Sequence, residues 1–95
     1  MYQIRYTKAA EKYFKKIKEK GLREAYHRAI VILEGNPYAG QSKVGDLSGV
    51  YSYDVFYSRT NYEIAYRIYE EGEKVVVVIL AGTRENFYKE LKRYM

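Results

Sequence analysis

Residues 75–80 read VVVVIL, an apolar run that turns polar across Gly82-Thr83. The run is rich in β-branched side chains and bounded by turn residues, so it is expected to form a fully buried central strand. It is too short to span a bilayer, which takes about 20 apolar residues. A strand of this kind lies inside a sheet, and the rest of the chain must supply neighbouring strands and helical cover. Thr83 is a reasonable N-cap for a short polar helix after the strand. Arg84 would then stand at the helix start, where a cation opposes the macrodipole. An unfavourable charge at the mouth of a buried strand has two readings, a surface arginine beside Glu85 or an arginine kept for function.

Ahead of that strand, residues 2–6 alternate and lead to Thr7, which reads as a first strand followed by an N-cap. A first helix is expected over residues 8–20, with Ala10, Tyr13, Phe14 and Ile17 on one stripe, Lys12, Lys15 and Lys16 on the other face, and Gly21 as the stop. The second begins near Leu22, repeats apolar residues at threes and fours through Leu33, and ends at Gly35-Asn36-Pro37. Two helices joined this tightly form an αα-hairpin. Residues 36–49 hold the single proline and read as a loop. Residues 50–57 alternate with Tyr51, Tyr53, Val55 and Tyr57 on one face and Ser52, Asp54 and Phe56 on the other. A four-residue turn, 58–61, leads to a strand with Tyr62, Ile64, Tyr66 and Ile68 opposed to Glu63, Ala65, Arg67 and Tyr69. A hairpin at 70–73 then feeds the buried strand. The order β-α-α-β-β-β-α predicts an α+β domain, an antiparallel sheet with helices packed on one face.

The 95 residues, 47% of them apolar, fit one folded domain with a single modest core. With no cysteine there is neither a disulfide nor a thiolate metal site. The charged N-terminus is unlike a signal peptide, so a soluble cytoplasmic protein without membrane contact is expected. The net charge of +5 is uneven: residues 1–43 carry +6, residues 44–83 carry −3 and residues 84–95 carry +2. Basic ends suggest a polyanion or an acidic protein as partner.

His27 is the sole histidine, and on a helix it reads as structural or exposed. A lone histidine without cysteine builds no metal cluster, and no Gly-rich phosphate loop or nucleophile elbow is present, so no metal or small-molecule cofactor is expected. Thirteen tyrosines are the compositional outlier. Tyrosine suits strands whose rings are buried and whose hydroxyls reach solvent, and on an open sheet the same rings would stack on unpaired bases. RNA cleavage needs no metal where a base activates the 2′-hydroxyl, a cation stabilises the phosphate charge and an acid protonates the leaving oxygen. Asp54, Glu63 and Arg67 on the polar sheet face and Arg84 at the strand end are candidates. Tyr88 lies one helical turn beyond Arg84, which would place both on one helix face.

With this order of elements, the chain resembles the RelE/ParE superfamily of type II toxin–antitoxin toxins. The likeness is carried by Asn36-Pro37, GDLSGVYSYDV (45–55), NYEIAYRIY (61–69) and VILAGTRENFY (78–88), and covers nearly the whole chain. The resemblance implies a small basic toxin bound by a cognate antitoxin. RelE-like members enter the ribosome and cut mRNA by 2′-hydroxyl attack, whereas ParE-like members inhibit DNA gyrase without nuclease chemistry. Arg84 matches the late arginine taken to stabilise the scissile phosphate, and Tyr88 the C-terminal tyrosine used as a base or stacking group, with Tyr94 a second candidate. Glu63 replaces an arginine of the mRNA-cleaving branch, and Ser52 and Asp54 replace basic residues of the preceding strand. The resulting expectation is a ribosome-dependent mRNA endonuclease with Arg84, Tyr88 and Glu63 or Asp54 as catalytic groups. RNA would be held by Arg67, Tyr53, Tyr94 and the lysines Lys12, Lys15 and Lys16. An acidic antitoxin segment is expected over the tyrosine-lined sheet face. The alternatives are gyrase inhibition and an RNA- or protein-binding relative without toxicity.

Overall fold

In a computed structural model, which describes residues 1–85 and 87–94, the apolar run is an inner strand as its composition demands. The elements are β1 (Gln3–Tyr6), α1 (Lys8–Lys15), α2 (Lys20–Gly35), β2 (Gln41–Ser42), β3 (Tyr51–Tyr57), β4 (Thr60–Tyr69), β5 (Val75–Thr83) and α3 (Phe87–Leu91). Their sheet order is β1-β5-β4-β3-β2. The fold is the expected α+β class, with two differences. The sheet is mixed, because β1 pairs with β5 in parallel while the other neighbours are antiparallel. The helices also occupy both faces: α1 and α2 share a core with Ile64, Tyr66, Val76 and Val78, whereas Phe87 and Leu91 of α3 pack with Val50, Ala65, Ile79 and Leu80. An all-apolar strand needs cover on both sides, and α3 supplies the second.

The helical boundaries move for identifiable reasons. Thr7 caps α1 as expected, accepting from the Ala10 N–H at 3.2 Å while its hydroxyl donates to the Ile79 carbonyl at 2.6 Å. The helix ends five residues earlier than its periodicity suggests. The Lys16 N–H is shared between the Lys12 and Tyr13 carbonyls and Ile17 bonds back to Phe14, a tightened last turn that lets Ile17, 8% exposed, enter the core. Gly21 is therefore not a stop. It lies in the first turn of α2, where an added Cβ would meet the Tyr57 hydroxyl at 2.5 Å, so its small size lets the helix seat on that ring.

The Asn36-Pro37 loop is a fastening. Asn36 Oδ1 accepts from the Tyr38 N–H at 3.2 Å, Pro37 is buried, and its carbonyl accepts from the Tyr66 hydroxyl at 2.7 Å. Burial of that phenol pushes its pKa up to about 12. The next turn of chain crosses so close that a Cβ at Gly40 would lie 2.5 Å from the Ser52 carbonyl and on the Tyr66 hydroxyl. A second fastening joins the start of the chain to the end of β4. Tyr2 donates to Glu70 Oε1 at 2.5 Å and Tyr38 donates to Oε2. These hydrogen bonds, aided by Lys74, hold the Glu70 carboxyl below its ordinary value of 4.5.

The turn between β3 and β4 is shorter than expected, two residues instead of four. Both are left-handed, Ser58 at φ 49° and Arg59 at φ 63°, as a hairpin turn matching the twist of its strands requires. Neither side chain suits that region, each costing about 1 kcal/mol. Replacing Ser58-Arg59 by Asn-Gly is therefore expected to raise stability by about 1 kcal/mol, read as a higher urea midpoint with an unchanged slope. Because Glu70 has a lowered folded pKa, its contribution is fully present above 4.5 and is lost as pH falls through the folded value. The stability gap between the natural chain and Glu70→Gln, followed by urea unfolding from about pH 7 to about pH 3, is expected to close on acidification.

Candidate functional site

The site is positioned by an irregularity between β4 and β5. Tyr66 pairs with Val78 but its neighbour Ala65 pairs with Leu80, leaving Ile79 as an extra residue. Ile79 and Leu80 consequently both lie on the α3 side, and Ala81 returns to the side of α1 and α2. Beyond the bulge every residue of β5 has changed face relative to an unbroken ladder. Gly82 thereby comes opposite Glu63. The Arg84 N–H continues the ladder by bonding to the Asn61 carbonyl at 3.1 Å, so position 84 has the parity of Gly82 and Glu63. Thr83 is the last strand residue and α3 starts at Phe87. Thr83 is thus not an N-cap, and Arg84 neither opposes a helix dipole nor shares a helix face with Tyr88.

Phe87, 3% exposed, and Leu91, fully buried, anchor α3 to the sheet. Between them Tyr88 is held over β4, its hydroxyl donating to Glu63 Oε1 at 3.0 Å. Glu63 is 2% exposed. Its Oε2 and the Oδ1 of Asn61, two residues earlier on the same face, are buried and have no hydrogen-bond partner among the described residues. Acceptors buried in this way are costly, and the cost is larger for a charged group. The Lys43 ammonium lies 4.9 Å from the centre of the Tyr88 ring. Nothing in the sequence marks Lys43, which belongs to a loop without periodicity, or Asn61, which reads as part of a turn.

The remaining candidates fall in several places. Asp54 is exposed on β3, directly opposite Glu63 in the ladder, while Ser52 is buried opposite Ala65. Arg67 is on the Glu63 face, its guanidinium close against Gly49. Arg84 is exposed, and Tyr94, in a single 3-10 turn at Lys92–Tyr94, is 52% exposed. Tyr53 is not beside them. With Tyr51, Tyr57, Tyr62 and Tyr66 it packs into the core beneath α1 and α2. The tyrosine-lined face expected to take RNA or an antitoxin is thus covered by the chain's own helices. Those rings pack edge-on, as Tyr26 does with Tyr62 at 5.8 Å, or stacked, as Tyr51 does with Tyr66 at 5.7 Å, which is the structural use of tyrosine. Lys12, Lys15 and Lys16 line the exposed side of α1, where Lys15 pairs with Glu11 at 3.9 Å. They make no contact with the Glu63–Tyr88 pair. His27 is exposed on α2. Among the described residues no group of three His, Asp or Glu side chains is placed to hold a metal ion, and no helix is long and apolar enough to cross a membrane.

Residues 4–92 match the family described as the ParE-like toxin of type II bacterial toxin-antitoxin systems. The chain belongs to that family. The toxin also superposes on a free arginine double mutant of Escherichia coli toxin RelE, with a TM-score of 0.75 at 22% identity, over 98% of this chain and 92% of that one. The RelBE2 toxin–antitoxin complex of Mycobacterium tuberculosis gives 0.68 at 24% identity, over 87% and 91% of the two chains. The same E. coli mutant in complex with an antitoxin RelBc peptide gives 0.68 at 22%, over 99% and 98%. At these identities the likeness is one of fold. No match was found among curated protein sequences.

Within the toxin, the Glu63 carboxylate is in a poor place for stability, buried with one oxygen unpartnered among the described residues. Glu63→Gln keeps an oxygen for Tyr88 and removes the buried charge. It is expected to raise unfolding free energy by about 1 kcal/mol, measured by chemical denaturation.

Proposed function

We propose that the toxin cleaves mRNA on the ribosome and that a cognate antitoxin neutralises it. The observation carrying this reading is the hydrogen bond from Tyr88 to the buried Glu63 carboxylate, on the sheet face whose parity continues to exposed Arg84. A phenol backed by a carboxylate is a proton-handling unit. In the proposed step Tyr88 takes the 2′-hydroxyl proton while passing its own to Glu63 Oε1. The freed 2′-oxygen attacks the adjacent phosphorus, and the 5′-oxygen departs with a proton from solvent. Arg84 faces the charge that builds on the phosphoryl oxygens, where a fixed cation contributes most. Asp54 is the exposed carboxylate of the register pair, and the Tyr88 bond favours Glu63 as the proton acceptor. The RelBE2 and RelE–RelBc complexes support an antitoxin partner, and the charge of +5 favours an acidic binding segment.

A second reading, gyrase inhibition through protein contacts, draws on the burial of Glu63 and Ser52. These positions hold no cation for a phosphate, and a shielded carboxylate is compatible with a binding surface. Supercoiling inhibition by purified toxin, without RNA cleavage on ribosomes, would select it.

For the nuclease reading, Arg84→Ala is expected to lower cleavage of ribosome-bound mRNA by about 100-fold or more while folding is unchanged. The check is mapping of mRNA 5′ ends after induction of each variant without antitoxin. Cuts phased to codons should appear with the natural chain and vanish with the variant. Equal cutting by both would remove Arg84 from the chemistry.

A further inference from the structure

Lys43 is a basic residue that neither the motifs nor the strand pattern single out, yet it touches the centre of the site. Its main-chain N–H bonds to the Val50 carbonyl at 2.8 Å, and Val50 is fully buried in the cluster under α3. The backbone at Lys43 is therefore fixed at the rim of that cluster. Its side chain is half-buried and its ammonium stands 4.9 Å from the Tyr88 ring centre, within the range of a cation–π contact. The same ring meets Phe87 edge-on at 5.3 Å and 88°, and its hydroxyl is on Glu63. Three contacts of different chemistry thus fix one ring. They are needed, because α3 has five residues and a helix that short does not hold its own geometry in water.

We infer that Lys43 is a positioning residue for the Tyr88–Glu63 pair, its ammonium on the ring face keeping the phenol hydroxyl on the carboxylate. The effect on catalytic rate rests on the nuclease reading, and the effect on the ring does not. A rotation of Tyr88 that takes its hydroxyl off Glu63 also takes the ring off Lys43, so the two contacts support each other. The chemistry that matters is the cation on the ring, which Arg reproduces and Met, with a similar stem and no charge, does not.

The test uses the full chain as Lys43→Met and Lys43→Arg, each alone and with Tyr88→Phe. In tyrosine-labelled protein, Lys43→Met is expected to shift and broaden the Tyr88 ring resonances, and Lys43→Arg to restore them. On ribosomes, Lys43→Met is expected to slow single-turnover cleavage about tenfold at saturating toxin. Ribosome affinity and its salt dependence should be unchanged, and no further loss should appear in the Tyr88→Phe background. Unmoved Tyr88 resonances in Lys43→Met would overturn the inference whatever the effect on cleavage. A loss that persists in Tyr88→Phe and varies with salt would also overturn it, making Lys43 a phosphate contact. Shifted resonances in a toxin that cuts no RNA would uphold the positioning role while removing the nuclease reading.

Discussion

One extra residue in β5 sets the direction of everything that follows it. Side chains alternate along a strand, so a single insertion exchanges the faces of all later positions. Ile79 is that insertion, and it does two things together. It places Ile79 and Leu80 side by side under α3, giving the last helix an apolar seat. It also puts Gly82 opposite Glu63, so that the chain leaves the sheet with Arg84 on the parity of the carboxylate. An uninterrupted ladder would have put Ala81 opposite Glu63 and Arg84 on the parity of the α1–α2 side. Bulges re-aim side chains near functional sites elsewhere, and here the whole candidate site depends on one.

The two faces of the sheet divide the work. Beneath α1 and α2 lie most of the tyrosines, whose rings fill the core and whose hydroxyls find partners at its margin, as Tyr13 and Tyr26 do with each other at 2.8 Å. On the other face a small apolar cluster surrounds one buried carboxylate. Stability is given up on this face at Glu63 and at the Asn61 side-chain oxygen, and α3 with its two anchors Phe87 and Leu91 covers the carboxylate. In the proposed reaction, that fixed, partly desolvated acceptor is what proton transfer from the Tyr88 phenol needs. Strain of this kind collects where the chain has a task other than staying folded.

Much of the fold was legible in the sequence because periodicity reports burial directly: the alternation in β3 and β4, the stripe of α2, and the unbroken apolar run of β5. Boundaries governed by contact were less so. Gly21 reads as a helix stop, since glycine ends helices more often than it seats one on a tyrosine ring. Ser58-Arg59 lacks the Asn-Gly signal of a two-residue turn. The bulge is invisible because VVVVIL has no alternation to interrupt. Arg84 and Tyr88 could be named as candidates from their motif, but their spatial relation could not, as it depends on β5 running to Thr83. Glu63 reads as a solvent-facing residue of a half-polar strand, and its burial comes from α3, which the local pattern does not contain. Lys43 could not be found, for its meeting with Tyr88 joins a loop to a helix 45 positions later.

The parallel pairing of β1 with β5 bears on how the toxin comes into being. Gln3 to Tyr6 find their sheet partner in Val75 to Val78, far later in the chain, and contacts of such sequence separation form late and slowly. While the chain is being synthesised, α1 and α2 have an apolar face and only part of the sheet to lay it on. Glu63, Arg84 and Tyr88 all come from the second half of the chain, and the last two follow β5. The candidate site therefore needs β5 in place. One strand thus both closes the sheet between β1 and β4 and brings the candidate site together.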